Sequence, residues 1–217
     1  MRKRSTLRLP VHCVPNPEIA ENIEKALKNF KKNWDSNEKI FEELCFCLLT
    51  SQSSAKQAIK AINLLKKYDL LDKGGFRDKE IFLKNVRFFR TKAKRLEEVQ
   101  SKFPKNKIRG ILMKNGLPSN PIKCREFLVK EVNGYGLKEA SHFLRNIGFG
   151  DEIAILDRHV LKNLVGCEII KDLPKSLTKK KYLEIEEIMR AFCKRNQISM
   201  SKLDLIFWSN ETGTVLK

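Results

Sequence analysis

Apolar residues recur along this chain at helical rather than strand spacing. Residues 17–34 place Ile19, Ile23, Ala26, Leu27 and Phe30 on one face, the pattern of an amphipathic helix. Ser36 is a natural N-cap for a second helix whose apolar positions include Phe41, Leu44, Cys45, Leu48 and Leu49. The same period predicts helices over 54–67, 78–86, 91–102, 106–114, 121–132, 137–147, 157–164, 177–196 and 202–209. Alternating β-branched runs are almost absent. The best strand candidate, 152–156, is short and reads equally well as an extended linker. Gly74-Gly75, Gly134-Tyr135-Gly136 and Gly148-Phe149-Gly150 punctuate the pattern as turns. No repeat of fixed period or low-complexity tract interrupts it, so the fold class is all-α.

Charge narrows the class of partner. Against 26 acidic residues stand 44 Lys and Arg, a formal net charge of +18 over 217 residues. Such a surplus favours a polyanion, because neutralising phosphates releases condensed counterions. A basic structural protein and an acidic-lipid binder are the alternatives left open by charge alone. No apolar run approaches the roughly 20 residues that span a bilayer, and the basic start Met1-Arg2-Lys3-Arg4 leads into no signal-type hydrophobic stretch. The expectation is an intracellular protein, cytoplasmic or at the nucleoid, with no membrane partner. The six cysteines, Cys13, Cys45, Cys47, Cys124, Cys167 and Cys193, are scattered and form no disulfide framework. Cys45 and Cys47 lie in an apolar segment and read as small core residues. His142 and His159 lack companions at metal-ligand spacing and read as structural.

Candidate chemistry concentrates around Val132-Asn133-Gly134-Tyr135-Gly136-Leu137-Lys138-Glu139-Ala140. One helix ends near Val132, a tight turn carries two glycines, and the next helix starts near Leu137. Turn amides and the first amides of the new helix then form a phosphate site of helix-hairpin-helix type, which holds DNA by its backbone. Gly134 and Gly136 are the residues that permit it; an ordinary interhelical turn is the plainer reading. Lys138 falls in the first helical turn, where the dipole disfavours further positive charge. Asp157 follows one helix and one Gly-rich turn later, directly after Ile153-Ala154-Ile155-Leu156, and is placed as a helix N-cap. A chain that doubles back after the hairpin helix brings this carboxylate within reach of the lysine.

Gly134-Tyr135-Gly136-Leu137-Lys138 with Leu156-Asp157-Arg158-His159 resembles the helix-hairpin-helix superfamily of DNA glycosylases. Leu48-Leu49-Thr50-Ser51-Gln52 is similar to the superfamily segment whose glutamine lies near the flipped base. Val86-Arg87-Phe88-Phe89-Arg90-Thr91-Lys92-Ala93 is similar to a segment that pairs aromatics with a Lys-Ala step. The end, Asp204-Leu205-Ile206-Phe207-Trp208 through Glu211 to Lys217, resembles the type-2 (archaeal-type) 8-oxoguanine DNA glycosylase/AP lyases, which end in a lysine near the base pocket. The matches spread from about residue 44 to the C-terminus. The hairpin departs from the commoner Leu-Pro-Gly-x-Gly form in having Val132-Asn133. Relatives of endonuclease III carry four clustered cysteines near the C-terminus for an iron–sulfur cluster; here only Cys167 and Cys193 lie in that region, so none is expected.

The resemblance implies two helical lobes with the hairpin at the cleft between them. One lobe would be continuous over 34–150, the other built from 1–33 and 151–217. It implies a base-excision repair enzyme that removes 8-oxoguanine from double-stranded DNA through Lys138 as nucleophile and Asp157 as catalytic carboxylate. Gln52, Gly134 and Gly136 would bind DNA. Phe88 and Trp208 are candidates for stacking on the extruded base, against a plain reading as core aromatics. Asp204 and Lys217 would meet its polar edges, although Lys217 reads equally as a frayed terminus. No catalytic metal or redox cofactor is expected; a monovalent cation at the hairpin carbonyls and a monomeric state are. The alternatives are a glycosylase/AP lyase for another oxidised base, such as an oxidised pyrimidine, a non-enzymatic helix-hairpin-helix DNA-binding module, and a basic helical scaffold.

Overall fold

A computed structural model describes Pro10, Val14, Pro15 and residues 17–215. Among these residues every regular element is a helix. The chain divides into two units, Phe30–Phe149 on one side and Met1–Asn29 with Gly150–Lys217 on the other. Helix α1 (Pro17–Asn33) runs through the first division.

The continuous unit is organised around α2 (Asn37–Thr50). From Ile40 to Thr50 every residue of α2 is buried, as expected of a helix apolar on all sides. Ser36 caps it, its Oγ accepting from the Lys39 amide at 3.3 Å. Around it pack α3 (Ala55–Lys67), α5 (Phe89–Lys102), α6 (Ile108–Lys114) and α8 (Leu137–Asn146). The two acidic residues buried on α2 are partnered rather than stranded. Glu42 pairs with Lys66 at 2.8 Å, and Glu43 accepts from Asn146 Nδ2 at 2.8 Å, tying α2 to α3 and α8. The two ends of the unit meet where Trp34 packs edge-on against Phe149 and Asn33 Nδ2 donates to Asn146 O at 2.9 Å.

One segment departs from its periodicity. Where a single helix is predicted over 78–86, the chain forms α4 (Phe76–Glu80) and then a 3₁₀ turn (Ile81–Leu83). Asp78 is a capping residue, its Oδ2 accepting from the Gly75 amide at 2.9 Å, so the helix starts before it. Lys79 is fully buried and donates to the carbonyl of Gly74 and to Gln100 Oε1, both at 2.9 Å, and to the carbonyl of Lys73. Helix α5 likewise begins at Phe89, two residues ahead of the expected start, because Phe88 in a left-handed conformation (φ 59°) turns the chain into it. Helix α7 (Pro121–Glu131) completes the unit, packed on α8.

The second unit holds α9 (Arg158–Gly166), α10 (Lys179–Asn196) and α11 (Met200–Thr212), with α11 packed on both others. The 152–156 segment is an extended linker and not a strand. Ile153 to Leu156 are all buried, and side chains of α10 take the place of a neighbouring strand. Glu186 Oε1 accepts from the Ala154 amide at 2.7 Å. Tyr182 Oη donates to Ala154 O at 2.6 Å and accepts from the Leu156 amide at 3.3 Å. Buried backbone groups need partners, and two side chains supply them here. At the end of this anchored segment the chain delivers Asp157.

Candidate active site

The hairpin between α7 and α8 is fastened from beneath by α5. Arg95 packs its guanidinium against Gly134, Glu98 Oε2 accepts from Asn133 Nδ2 at 2.6 Å, and Lys102 Nζ donates to Glu131 O at 3.0 Å. Tyr135, 6% exposed, reaches into the core and donates its hydroxyl to Leu44 O on α2 at 2.8 Å. Burial holds its phenol well above the usual pKa, so it stays a donor. Asn133 thus has an anchoring partner of its own. Gly134 has φ +96°, whereas Gly136 is extended and needs no special freedom. A methyl group on Gly134 would lie 2.5 Å from Arg95. That side chain can swing away, so the cost of Gly134→Ala is mainly backbone strain of about 1–2 kcal/mol. Thermal unfolding is expected to shift down by roughly 2–8 °C, with weaker DNA binding in a fluorescence-anisotropy titration. An unchanged melting temperature and affinity would show the turn tolerates another conformation.

The hairpin amides are more occupied than its glycines suggest. Tyr135 N donates to Val132 O at 3.0 Å, and Gly136 N donates to Glu139 Oε2 at 3.2 Å. Glu139 is therefore an N-terminal clamp for α8. Its other oxygen lies 3.7 Å from Lys138 Nζ. Lys138 sits in the first turn of α8 with a side chain 28% exposed, so its amine is held loosely by one carboxylate and reached by solvent.

In the other unit Asp157 caps α9, its Oδ1 accepting from the Val160 amide at 2.8 Å. Only one carboxylate oxygen is used in this bond, and the residue is half-buried. Two residues on, the His159 ring stands edge-on to Trp208 of α11, with centroids 5.4 Å apart. His159 Nδ1 lies 3.5 Å from Glu211 Oε2, and Asn163 Nδ2 bridges His159 O and Glu211 Oε1. The capped helix and the Trp208 face of α11 thereby form one cluster. Asp204, one helical turn before Trp208, is buried.

The 8-oxoguanine DNA glycosylase family model matches residues 23–198. The chain belongs to that family. An 8-oxoguanine DNA glycosylase/AP lyase of Fusobacterium nucleatum is 47% identical over 205 residues, covering 92% of this chain and 93% of that protein. The structure of the Methanocaldococcus jannaschii 8-oxoguanine glycosylase/lyase, in complex with a 15mer DNA containing 8-oxoguanine, superposes with a TM-score of 0.81. It is 39% identical and covers 93% of this chain and 95% of its own. The Thermotoga maritima 8-oxoguanine DNA glycosylase gives a TM-score of 0.79 at 32% identity, over 92% and 93% of the two chains.

Within this family member the remaining sequence candidates fall into two sets. Gln52 and Phe88 belong to the hairpin's unit. Both are exposed and both are left-handed, with φ 50° and 59°. The Phe88 ring carries the Arg87 guanidinium at 4.8 Å from its centroid, so it is a surface aromatic rather than a core one. Asp204 and Trp208 belong with Asp157, and Lys217 lies outside the described residues. Cys167 and Cys193 are buried, and among the described residues no three His, Cys, Asp or Glu side chains group as a metal site. Sequence reasoning missed Arg95, Glu98 and Glu139. The signal for Glu139 was available: a carboxylate at the third position of a helix that starts after glycine.

Proposed function

We propose that this chain removes 8-oxoguanine from double-stranded DNA and then cuts the strand by β-elimination through a Schiff base on Lys138. The observation that carries the reading is the amine of Lys138, partly exposed on the first turn of the hairpin helix and held by a single carboxylate at 3.7 Å. The relatives' names support the lesion and both activities.

The damaged nucleotide must first leave the stack, because C1′ is inaccessible inside it. The unprotonated amine of Lys138 attacks C1′; the bond to the base breaks, and the base leaves with its electron pair and takes up a proton. The amine-bearing sugar opens to an imine. Loss of a proton from C2′ then expels the 3′ phosphate with the C3′–O electrons. Asp157, with one oxygen committed to capping, supplies the negative charge that stabilises the positive charge growing on the sugar. Phe88, Trp208, Asp204 and Lys217 are proposed to receive the extruded base, and Gln52 with the hairpin glycines to hold the strand. A monovalent cation at the hairpin carbonyls fits the hard-oxygen donors of that turn, where Val132 O and Gly136 O already each accept an amide; no step depends on it. A monomer acting at the nucleoid completes the reading.

The test is a panel of labelled duplexes, each with one 8-oxoguanine, one oxidised pyrimidine or normal guanine. Strand cutting and base release at 8-oxoguanine are expected to exceed those at the pyrimidine lesion by about tenfold or more. The reverse preference would keep the chemistry and replace the lesion. Binding without cutting on any duplex would leave a DNA-binding module.

A further inference from the structure

Lys92 is an unusual lysine. In a chain with a formal charge of +18 it is only 1% exposed, in the first turn of α5. Its ammonium donates to Leu49 O and to Ser51 O, both at 2.7 Å, at the C-terminal end of α2. A cation there meets the negative end of the helix dipole and satisfies carbonyls that have no partner within the helix. Its own backbone amide donates to Phe88 O at 3.0 Å. Five described residues other than glycine are left-handed and exposed, Gln52, Asp69, Phe88, Glu168 and Gln197, and Lys92 holds two of those turns: Gln52, immediately after Ser51, and Phe88. A second tie joins the same turns, the Arg87 amide donating to Ser53 Oγ at 3.1 Å.

A left-handed conformation at a residue other than glycine is costly and persists only where its surroundings impose it. What sets Gln52 and Phe88 apart from the other three is that their turns are tied to each other, through Lys92 and through the Arg87 amide on Ser53, with both side chains left exposed. We infer that Lys92 is a positioning residue for base extraction: its ammonium and amide together hold Gln52 and Phe88 in the conformations that meet the DNA. This role rests on the proposed function, and on DNA contact by those two side chains.

The environment of Lys92 agrees with a strained, specific placement. Burial, followed by the neighbouring Arg95, pushes its ammonium down to about 8, with Arg87 and Lys138 adding in the same direction and Glu139 opposing. A side chain selected only to fill this space would be an uncharged one, such as Met.

The experiment compares two reactions in the full chain: excision of 8-oxoguanine from a duplex, and cleavage of a duplex with a preformed abasic site. An abasic site has no base to extract, so its cleavage depends far less on Gln52 and Phe88. In Lys92→Met, single-turnover excision is expected to fall by at least about tenfold, while abasic-site cleavage stays within about threefold of wild type. Lys92→Gln keeps an amide donor and is expected to show the same split, less steeply; it decides the matter should the Met variant not fold. Equal losses in both reactions would make Lys92 a structural residue and overturn the inference, as would unchanged excision. A wild type inactive on both substrates would overturn the activity itself, and this role with it, before any variant is compared.

Discussion

Lys138→Gln is expected to abolish borohydride trapping on duplexes carrying either 8-oxoguanine or an abasic site. On the proposed mechanism strand cutting should slow by about 10³-fold or more, through loss of the covalent intermediate. The fold should be indifferent to the change. Among the described residues Lys138 makes one loose ion pair, to Glu139, and substitutions of this kind shift stability by at most about 0.5 kcal/mol. Glu139 keeps its hydrogen bond from the Gly136 amide, so the hairpin stays closed. DNA affinity should fall only by the share of one positive charge. A trapped adduct that survives in Lys138→Gln would move the nucleophile to another amine.

For Asp157 the decisive substitution is asparagine, because it separates the observed cap from the proposed catalytic role. The side chain caps α9 through the Val160 amide, and asparagine caps about as well as aspartate. Thermal stability of Asp157→Asn should therefore match wild type, whereas on the proposed mechanism excision should fall by about 10²–10³-fold through loss of the negative charge. Asp157→Ala should lose both, with about 1 kcal/mol less stability from the missing cap. Single-turnover kinetics and thermal melts distinguish the cases. Excision by Asp157→Asn within tenfold of wild type would reduce the residue to a cap.

How much of this was legible in the sequence depended on how local each determinant is. The Ser36 cap and the Asp157 cap lie within three residues of the amides they bind, and both follow from the spacing of polar and apolar residues. The start of α5 does not, because the left-handed turn at Phe88 is stabilised by Lys92 and Ser53, and Ser53 lies 34 residues before the Arg87 amide it binds. The 152–156 segment was ambiguous for a similar reason: an apolar run reads as strand or linker until its backbone partners are known, and those are side chains on α10. Lys92 stood in the Lys-Ala step of the resemblance, but its buried partners were hidden by composition. Among so many lysines, one that binds carbonyls 41 and 43 residues away looks like any other solvated charge. The proposed catalytic pair, Lys138 and Asp157, stood out because each follows a local signal, a Gly-rich turn and an apolar run.

The anchoring of that apolar run also determines how the chain tolerates change in length. A strand inside a sheet resists slipping by one residue at every rung of its ladder. The segment before Asp157 is fixed in register by side chains of α10: Arg190 at Glu152 O, Glu186 and Tyr182 at Ala154, and Tyr182 again at Leu156. The distance along the chain from these attachment points to the carboxylate is therefore a ruler with three marks. An insertion before Glu152 leaves all three in place, whereas a single residue added after Leu156 shifts the carboxylate away from the first turn of α9.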